Sequence, residues 1–333
     1  MSLHNFDIQE LISSQKTREI PFLQHFAFFR NQRVSIFAIS PSNIELIKKN
    51  NEFLEKEGSD FLQKFGNYER FMVFEKDYDF ILNQIIEKLR LNARGLSMGN
   101  IDKNLQLTSY YLLLAYQFYM MNPFYHPLLQ IILQSVGMIY ECLLLRPKYT
   151  FELIRSTQKY PFPYEIKQGF LSSLFFIAFS IEANFFTPNQ KEELFFTSFI
   201  KDIGNAFIPP LLFSKYPLTK EEKEQMNRHQ KYSLDLIRGK LVLSQNTLKM
   251  IESHHITSSL YDNTYLNYCV YGAELFFINT CDIYAAMISP RPFRPPEKNQ
   301  KIFQVLKDSF NQTFSSELKI FGNFIIRNMS NLS

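Results

Sequence analysis

The chain has no tryptophan, and among its 333 residues there are only three cysteines, six histidines and ten glycines. Cys142, Cys269 and Cys281 are too few and too scattered for a disulfide scaffold. No two of them have the CxxC spacing of a thiolate metal knuckle. A glycine-rich loop is missing from residues 18–80. An excess of charge of one sign is missing too: 36 basic and 32 acidic residues leave a net charge of +4. That balance is too mild for a nucleic-acid partner unless the basic residues form a patch. The opening MSLHNFDIQELISSQK is polar and acidic, unlike a secretory signal, so the expected location is cytoplasmic.

What is present is apolar and aromatic. Hydrophobic residues make up 46% of the chain, with 35 Phe and 18 Tyr, enough for a large packed core and incompatible with a disordered one. At roughly 150 residues per domain, the length suggests about two domains.

In residues 18–38, two apolar runs flank the polar Arg30-Asn31-Gln32-Arg33, which predicts a β-hairpin. The charged stretch SNIELIKKNNEFLEKEGSDFLQKF predicts a helix capped by Ser42 or Asn43, and Phe71 to Phe74 predicts a strand. No charged side chain lies between Lys103 and Glu141, but Pro123 and Pro127 divide that region into Tyr110–Met121 and Leu128–Tyr140. Each piece is shorter than the roughly 20 residues a membrane-crossing helix needs, so both are expected to be buried or to form an interface, such as a homodimer face. Thr187 with Gln190, and Thr219 with Glu222, have capping-box spacing. The expected fold is mainly α: a small α+β module over 1–85, a helical connector over 86–150, and an all-α bundle over 151–333.

Five residues stand out in the C-terminal half: Asp202, His229, His254, His255 and Asp282. Each lies within or at the end of an apolar helical segment rather than in a solvated charge run. Imidazoles and carboxylates together suit a divalent or iron-type ion. The adjacent His254 and His255 cannot share one helix face, but at a helix end both rings can turn into one cavity. From spacing alone the ordinary alternative stays open, that these are hydrogen-bonded structural residues.

The order of the segments adds a resemblance. FIKDIGNAFIPP, LTKEEKEQMNRHQ, MIESHH and INTCDIYAAMISPRPFR follow one another as do the motifs of the HD-GYP family, bacterial cyclic di-GMP phosphodiesterases of the HD phosphohydrolase superfamily. The resemblance covers roughly residues 160–325 and implies an HD-type helical bundle. It also implies that Asp202 is a metal-bridging carboxylate and that His229, His254, His255 and Asp282 are further ligands. Glu165 is a weaker match to an extra acidic ligand. Arg291 and Arg294 match basic residues near substrate phosphate.

Several family residues are missing. Lys201 stands where the family has the histidine of its HD pair, an upstream histidine falls near Gln168 or Gly169, and Asn205 replaces a phosphate-holding lysine. After His255 the sequence ITSSLYDNTYLN has no trace of the DGxGYP loop. The cofactor implied is one iron, manganese or zinc ion, or none. Lys201 then either supplies the charge of a lost ion or reaches solvent. The function implied is a catalytically impaired sensor or adaptor that binds cyclic di-GMP, a related phosphoester or a signalling protein. The alternative is a phosphodiesterase working with a reduced metal set.

Overall fold

The computed structural model describes residues 16–40, 44–50, 52, 54, 68, 70–97, 101–255, 272–310 and 314–329. The chain divides into two compact units, Met1–Lys88 and Leu89–Ser333.

In the first unit, strands β1 (Thr17–Glu19), β2 (Ile36–Ile39), β3 (Ile44–Lys48) and β4 (Arg70–Phe74) form an antiparallel sheet of order β1-β4-β2-β3. Helix α1 (Glu75–Arg94) follows β4. The expected strand at Phe71 to Phe74 is present as β4, but two other expectations are corrected. The first apolar run of the supposed hairpin folds into short helical turns, Leu23–His25 and Phe26–Phe29, and the ring of the preceding Phe22 packs between Phe29 and Phe71. The hairpin is instead β2–β3, with Phe37 opposite Leu46. Ile44 to Lys48 belongs to the charged stretch expected to be helical. Pairing with β2 overrides that pattern and buries Lys48, whose Nζ donates to the carbonyls of Gln32 and, at 2.9 Å, of Val34. The proposed caps Ser42 and Asn43, and most of the rest of that stretch, lie outside the described residues.

The second unit is helical: α2 (Ile101–Met121), α3 (His126–Leu145), α4 (Tyr149–Lys159), α5 (Tyr164–Ala183), α6 (Pro188–Ile200), α7 (Lys220–Asn227), α8 (His229–Ile237), α9 (Gln245–Ser253), α10 (Gly272–Ile288), α11 (Asn299–Phe310) and α12 (Ser315–Met329). Helices α2 and α3 are longer than the two pieces read from the sequence. Asp102 and Lys103 join the first turn of α2, and Pro127 sits in the first turn of α3, where its missing N–H costs nothing. By length and composition α3 and α5 could each cross a membrane, but 56% and 78% of their apolar windows are buried inside the protein. Met121, Phe124, Leu144 and Leu145 remain exposed at the ends of α2 and α3.

Helix α5 is the axis of the unit. It is buried on all faces and packs on α4, α6, α10 and α12, as a helix apolar all round must. Its Phe179 ring meets Phe277 of α10 and Phe321 and Phe324 of α12 at centroid distances of 5.0 to 5.3 Å. Asn184 ends α5 in the left-handed conformation, and the Thr187–Gln190 capping box with Pro188 starts α6 at once. The second capping box, Thr219–Glu222, starts α7.

Two glycines bring the backbones together where the site forms. A Cβ on Gly169 of α5 would lie 2.6 Å from the Phe199 carbonyl oxygen at the end of α6. A Cβ on Gly204, in the 3-10 turn Ile203–Phe207, would lie 2.1 Å from the His229 carbonyl oxygen. Both contacts are possible only without a side chain.

Candidate metal centre

Helix α6 ends by presenting Lys201 and Asp202 to the interior, and Ser233 of α8 fixes them there. Its hydroxyl donates to the Lys201 carbonyl at 2.7 Å and accepts from the Gly204 N–H at 2.8 Å. Helix α8 begins at His229 and α9 ends just before His254, so all three imidazoles come from helix ends or the residues beside them. At such an end, consecutive side chains can point into one cavity. The His254 and His255 rings lie 4.3 Å apart, and both are within 5.2 Å of the His229 ring.

Asp202, His229, His254 and His255 each offer one ligand atom, and these four atoms lie within 4.8 Å of one another. His229 Nε2 is 3.1 Å from His254 Nε2, 2.9 Å from His255 Nε2 and 3.3 Å from Asp202 Oδ1; His254 Nε2 is 3.0 Å from the same oxygen. Neighbouring ligands on one ion, with metal–donor bonds of about 2.0–2.1 Å, stand roughly 3.0–3.4 Å apart. The observed spacings fall in or next to that range.

The opposite ring nitrogens explain why the cluster needs a cation. His229 Nδ1 lies 2.6 Å from the Met226 carbonyl oxygen, and His254 Nδ1 lies 2.6 Å from the Ile251 carbonyl oxygen. A carbonyl oxygen only accepts, so each Nδ1 carries the hydrogen, and a neutral ring then has its lone pair on Nε2. Two lone pairs and a carboxylate oxygen therefore face one another at about 3 Å. They repel unless a proton or a metal ion sits among them, and an N3O donor set of this kind fits one iron, manganese or zinc ion. His255 is an exposed residue whose Nε2 faces His229 Nε2. Desolvation, together with His254 and His229, holds its pKa well below the usual imidazole value, which keeps the ring neutral.

The other side of Asp202 is different. Lys201 is fully buried, and its Nζ pairs with Asp202 Oδ2 and, at 2.7 Å, with Asp282 Oδ1 of α10. Burial alone would lower the Lys201 pKa, but the two carboxylates outweigh it and raise it. Burial would likewise raise the Asp202 pKa. The Lys201 ammonium outweighs that and holds it well below the carboxylate range. Lys201 is therefore a fixed cation, not a side chain in solvent.

Gln168 of α5, beside which the resemblance expects a histidine, completes this side. Its Nε2 donates to both Asp282 oxygens, at 3.1 and 3.2 Å, and its Oε1 accepts from Arg291 at 3.3 Å. The remaining matched residues separate. Arg291 lies over the Tyr164 ring, 4.3 Å from its centroid, and its buried Nε has no hydrogen-bond partner among the described residues. Arg294 instead donates to the Ala286 and Met287 carbonyls at the end of α10 and pairs with Glu297. Glu165 is outside the four-residue cluster and lines a cavity of about 270 Å³ at the start of α5. The segment after His255 lies outside the described residues.

No protein-family model and no curated protein matches the sequence. Among solved structures, the chain is similar to Bd1817, a HDG"Y"P protein from Bdellovibrio bacteriovorus. The similarity has a TM-score of 0.60 at 12% identity and covers 89% of this chain and 95% of that one. The chain has an HD-GYP-like fold. Its two units together account for nearly the whole length of that relative. The HD-GYP-like bundle holds its Asp202 cluster and its Lys201 ion pairs side by side around one carboxylate.

Proposed function

We propose that the chain is a degenerate HD-GYP-like protein of cyclic di-GMP signalling in the cytoplasm. It binds cyclic di-GMP or a related phosphoester, or a signalling protein, and hydrolyses phosphodiesters weakly or not at all. The observation that carries this reading is the buried Lys201 ammonium between Asp202 and Asp282. In the resemblance these two carboxylates belong to a second ion, one of whose histidines is Lys201 here and the other of which is missing near Gln168 or Gly169.

His229, His254, His255 and one oxygen of Asp202 would hold a single divalent or iron-type ion. Such an ion supplies Lewis acidity and makes a bound water more acidic. Lys201 offsets part of the charge of the two carboxylates but, as an ammonium, has no site for a hydroxide. Gln168 keeps Asp282 occupied from the other side. Arg291, with its orphaned buried Nε, is the residue suited to a phosphate oxygen, whereas Arg294 is taken up by the end of α10.

The test combines metal analysis, calorimetry and turnover on the purified chain. The expected result is at most one equivalent of iron, manganese or zinc, lost in His254→Ala. Cyclic di-GMP should bind, and neither it nor its linear product should be cleaved at ordinary enzyme rates. Efficient turnover would establish instead a phosphodiesterase with a reduced metal set. Absence of metal with no effect of His254→Ala would reduce the cluster to a structural remnant.

A further inference from the structure

Three aromatic rings are packed on one another at the surface near the metal centre. Phe207 ends the 3-10 turn Ile203–Phe207, whose Gly204 packs on the His229 backbone. Its ring meets Phe124, from the turn between α2 and α3, at 5.9 Å and Tyr232 of α8 at 5.5 Å. Phe124 is 64% exposed and Phe207 40%; Met121, three residues before Phe124, is exposed as well. A lone exposed apolar residue is ordinary, but contiguous exposed rings form a patch, and such patches mark interaction sites.

The rim of this patch is basic. Lys240 Nζ lies 5.8 Å from the Phe124 ring centroid, within reach of a cation–π contact. Arg228 stands one helical turn before Tyr232, and Lys231 and Arg238 belong to the same helix or its end. From residue 228 to residue 243 these four cations meet a single acid, Asp235. All four are exposed, and among the described residues none of them forms an ion pair. On the other side, the sequence that carries Phe124 has no charged side chain between Lys103 and Glu141. Gly239 takes a left-handed φ of 71° just after α8, and Val242, three residues on, stands fully in solvent.

Apolar tips rimmed by unpaired cations fit a surface that is anionic outside and apolar beneath. A second copy of the chain brings the wrong charge, because a two-fold contact sets Arg228 and Lys240 near their own copies. The tips stand on turns and loop ends rather than in a groove, which suits insertion rather than the capture of a peptide. We propose that this patch docks the protein on an anionic lipid surface. Phe124 and Phe207 enter the boundary between headgroups and acyl chains, and Lys240 and Arg228 meet the headgroup phosphates. The Lys240 stem can cover the Phe124 ring while its ammonium stays at phosphate level. Since Phe207 is three residues from Gly204, docking there brings the metal centre to the bilayer. It does not depend on cyclic di-GMP binding.

A chain without tryptophan can be given a single reporter. Phe124→Trp places one indole at the tip, and Leu145→Trp places one at the other end of α3, about 30 Å away. Vesicles of phosphatidylcholine alone are compared with vesicles containing about one third phosphatidylglycerol. With the anionic vesicles, Phe124→Trp fluorescence should shift to the blue and be quenched by lipids brominated on their acyl chains, and Leu145→Trp fluorescence should do neither. In flotation, the wild-type chain should prefer anionic to neutral vesicles by about tenfold or more, and salt should weaken that preference. Losing one inserted ring costs about tenfold or more in partition, and losing one cation at such a surface about fivefold. Phe124→Ser and Lys240→Ala should show those two losses, with circular dichroism and metal content unchanged because both side chains are exposed.

Absence of vesicle binding, equal binding to both vesicles, or quenching of Leu145→Trp as strong as that of Phe124→Trp would overturn the proposal. Unchanged partition in both Phe124→Ser and Lys240→Ala would overturn it too. A concentration-dependent dimer that Phe124→Ser abolishes, without vesicle binding, would assign the patch to a second copy instead. Each of these failures would leave the phosphoester reading of the metal centre standing.

Discussion

Lys201 is the residue on which the electrostatics of the centre turn. Its ammonium is inside the protein with no exposed surface, and it lies against two carboxylates that would otherwise repel each other. Lys201→Met should therefore cost about 3–5 kcal/mol in urea unfolding of the metal-free protein, the range for leaving one partner of a buried pair uncompensated. The pH dependence has a defined sign. The folded pKa of Asp202 lies below its unfolded value, so its contribution is full above about pH 4 and is lost as the pH falls through the folded value. The folded pKa of Lys201 is raised, so its contribution is full below about pH 10.4 and is lost as the pH climbs through the folded value. The stability gap between wild type and Lys201→Met should accordingly be flat at neutral pH and shrink at both extremes. A gap that varies between pH 6 and 8 would contradict the assignment. Lys201 is conspicuous in the sequence at the place of a histidine, but which way its side chain turns is decided only by packing. Two arginines three residues apart, Arg291 and Arg294, looked equivalent there. Only packing separates them, because Arg294 is drawn to the free carbonyls at the end of α10 and Arg291 to the face of Tyr164.

At the scale of elements, the centre depends on how closely the turn after α6 approaches α8. Gly204→Ala puts a Cβ against the His229 carbonyl and the Ser233 amide, and backbone on both sides has no way to yield cheaply. The expected outcome is about 1–3 kcal/mol of lost stability and a tenfold or greater loss of metal affinity as His229 moves off Asp202. Ser233→Ala leaves the spacing intact but strips partners from the Gly204 N–H and the Lys201 carbonyl. It should cost about 1–3 kcal/mol with a smaller effect on metal affinity, read by denaturation and competitive chelation side by side. The helix starts were legible in advance because a capping box is a local device: Thr187–Gln190 and Thr219–Glu222 specify their helices without help from the rest of the chain. β3 was not legible, because its charged residues match a helix period and only its partner strand decides the matter. Gln168 was hidden for a related reason. An amide has no ligand chemistry to announce it, and the Asp282 it serves is 114 residues away in sequence.

For the whole molecule, the question is whether the cluster binds an ion strongly enough to matter to folding. Its four donors come from the end of α6, the start of α8 and the residues following α9, three places that meet only in the folded chain. An ion held by all of them binds the native state and not the unfolded one, so it must stabilise by mass action. At a free metal concentration one hundred times the dissociation constant the gain is about 2.7 kcal/mol, or about 5–10 °C in Tm for a unit of this size. Addition of manganese, iron(II) or zinc to the chelator-treated protein should therefore raise Tm by about that amount. His254→Ala should remove the response while keeping the fold, and Lys201→His should enlarge it, since an imidazole at that place can donate to a second ion where an ammonium cannot. A Tm indifferent to all three metals in the wild-type chain would mean that the converging imidazoles are held together by a proton rather than an ion. The centre would then serve the fold alone.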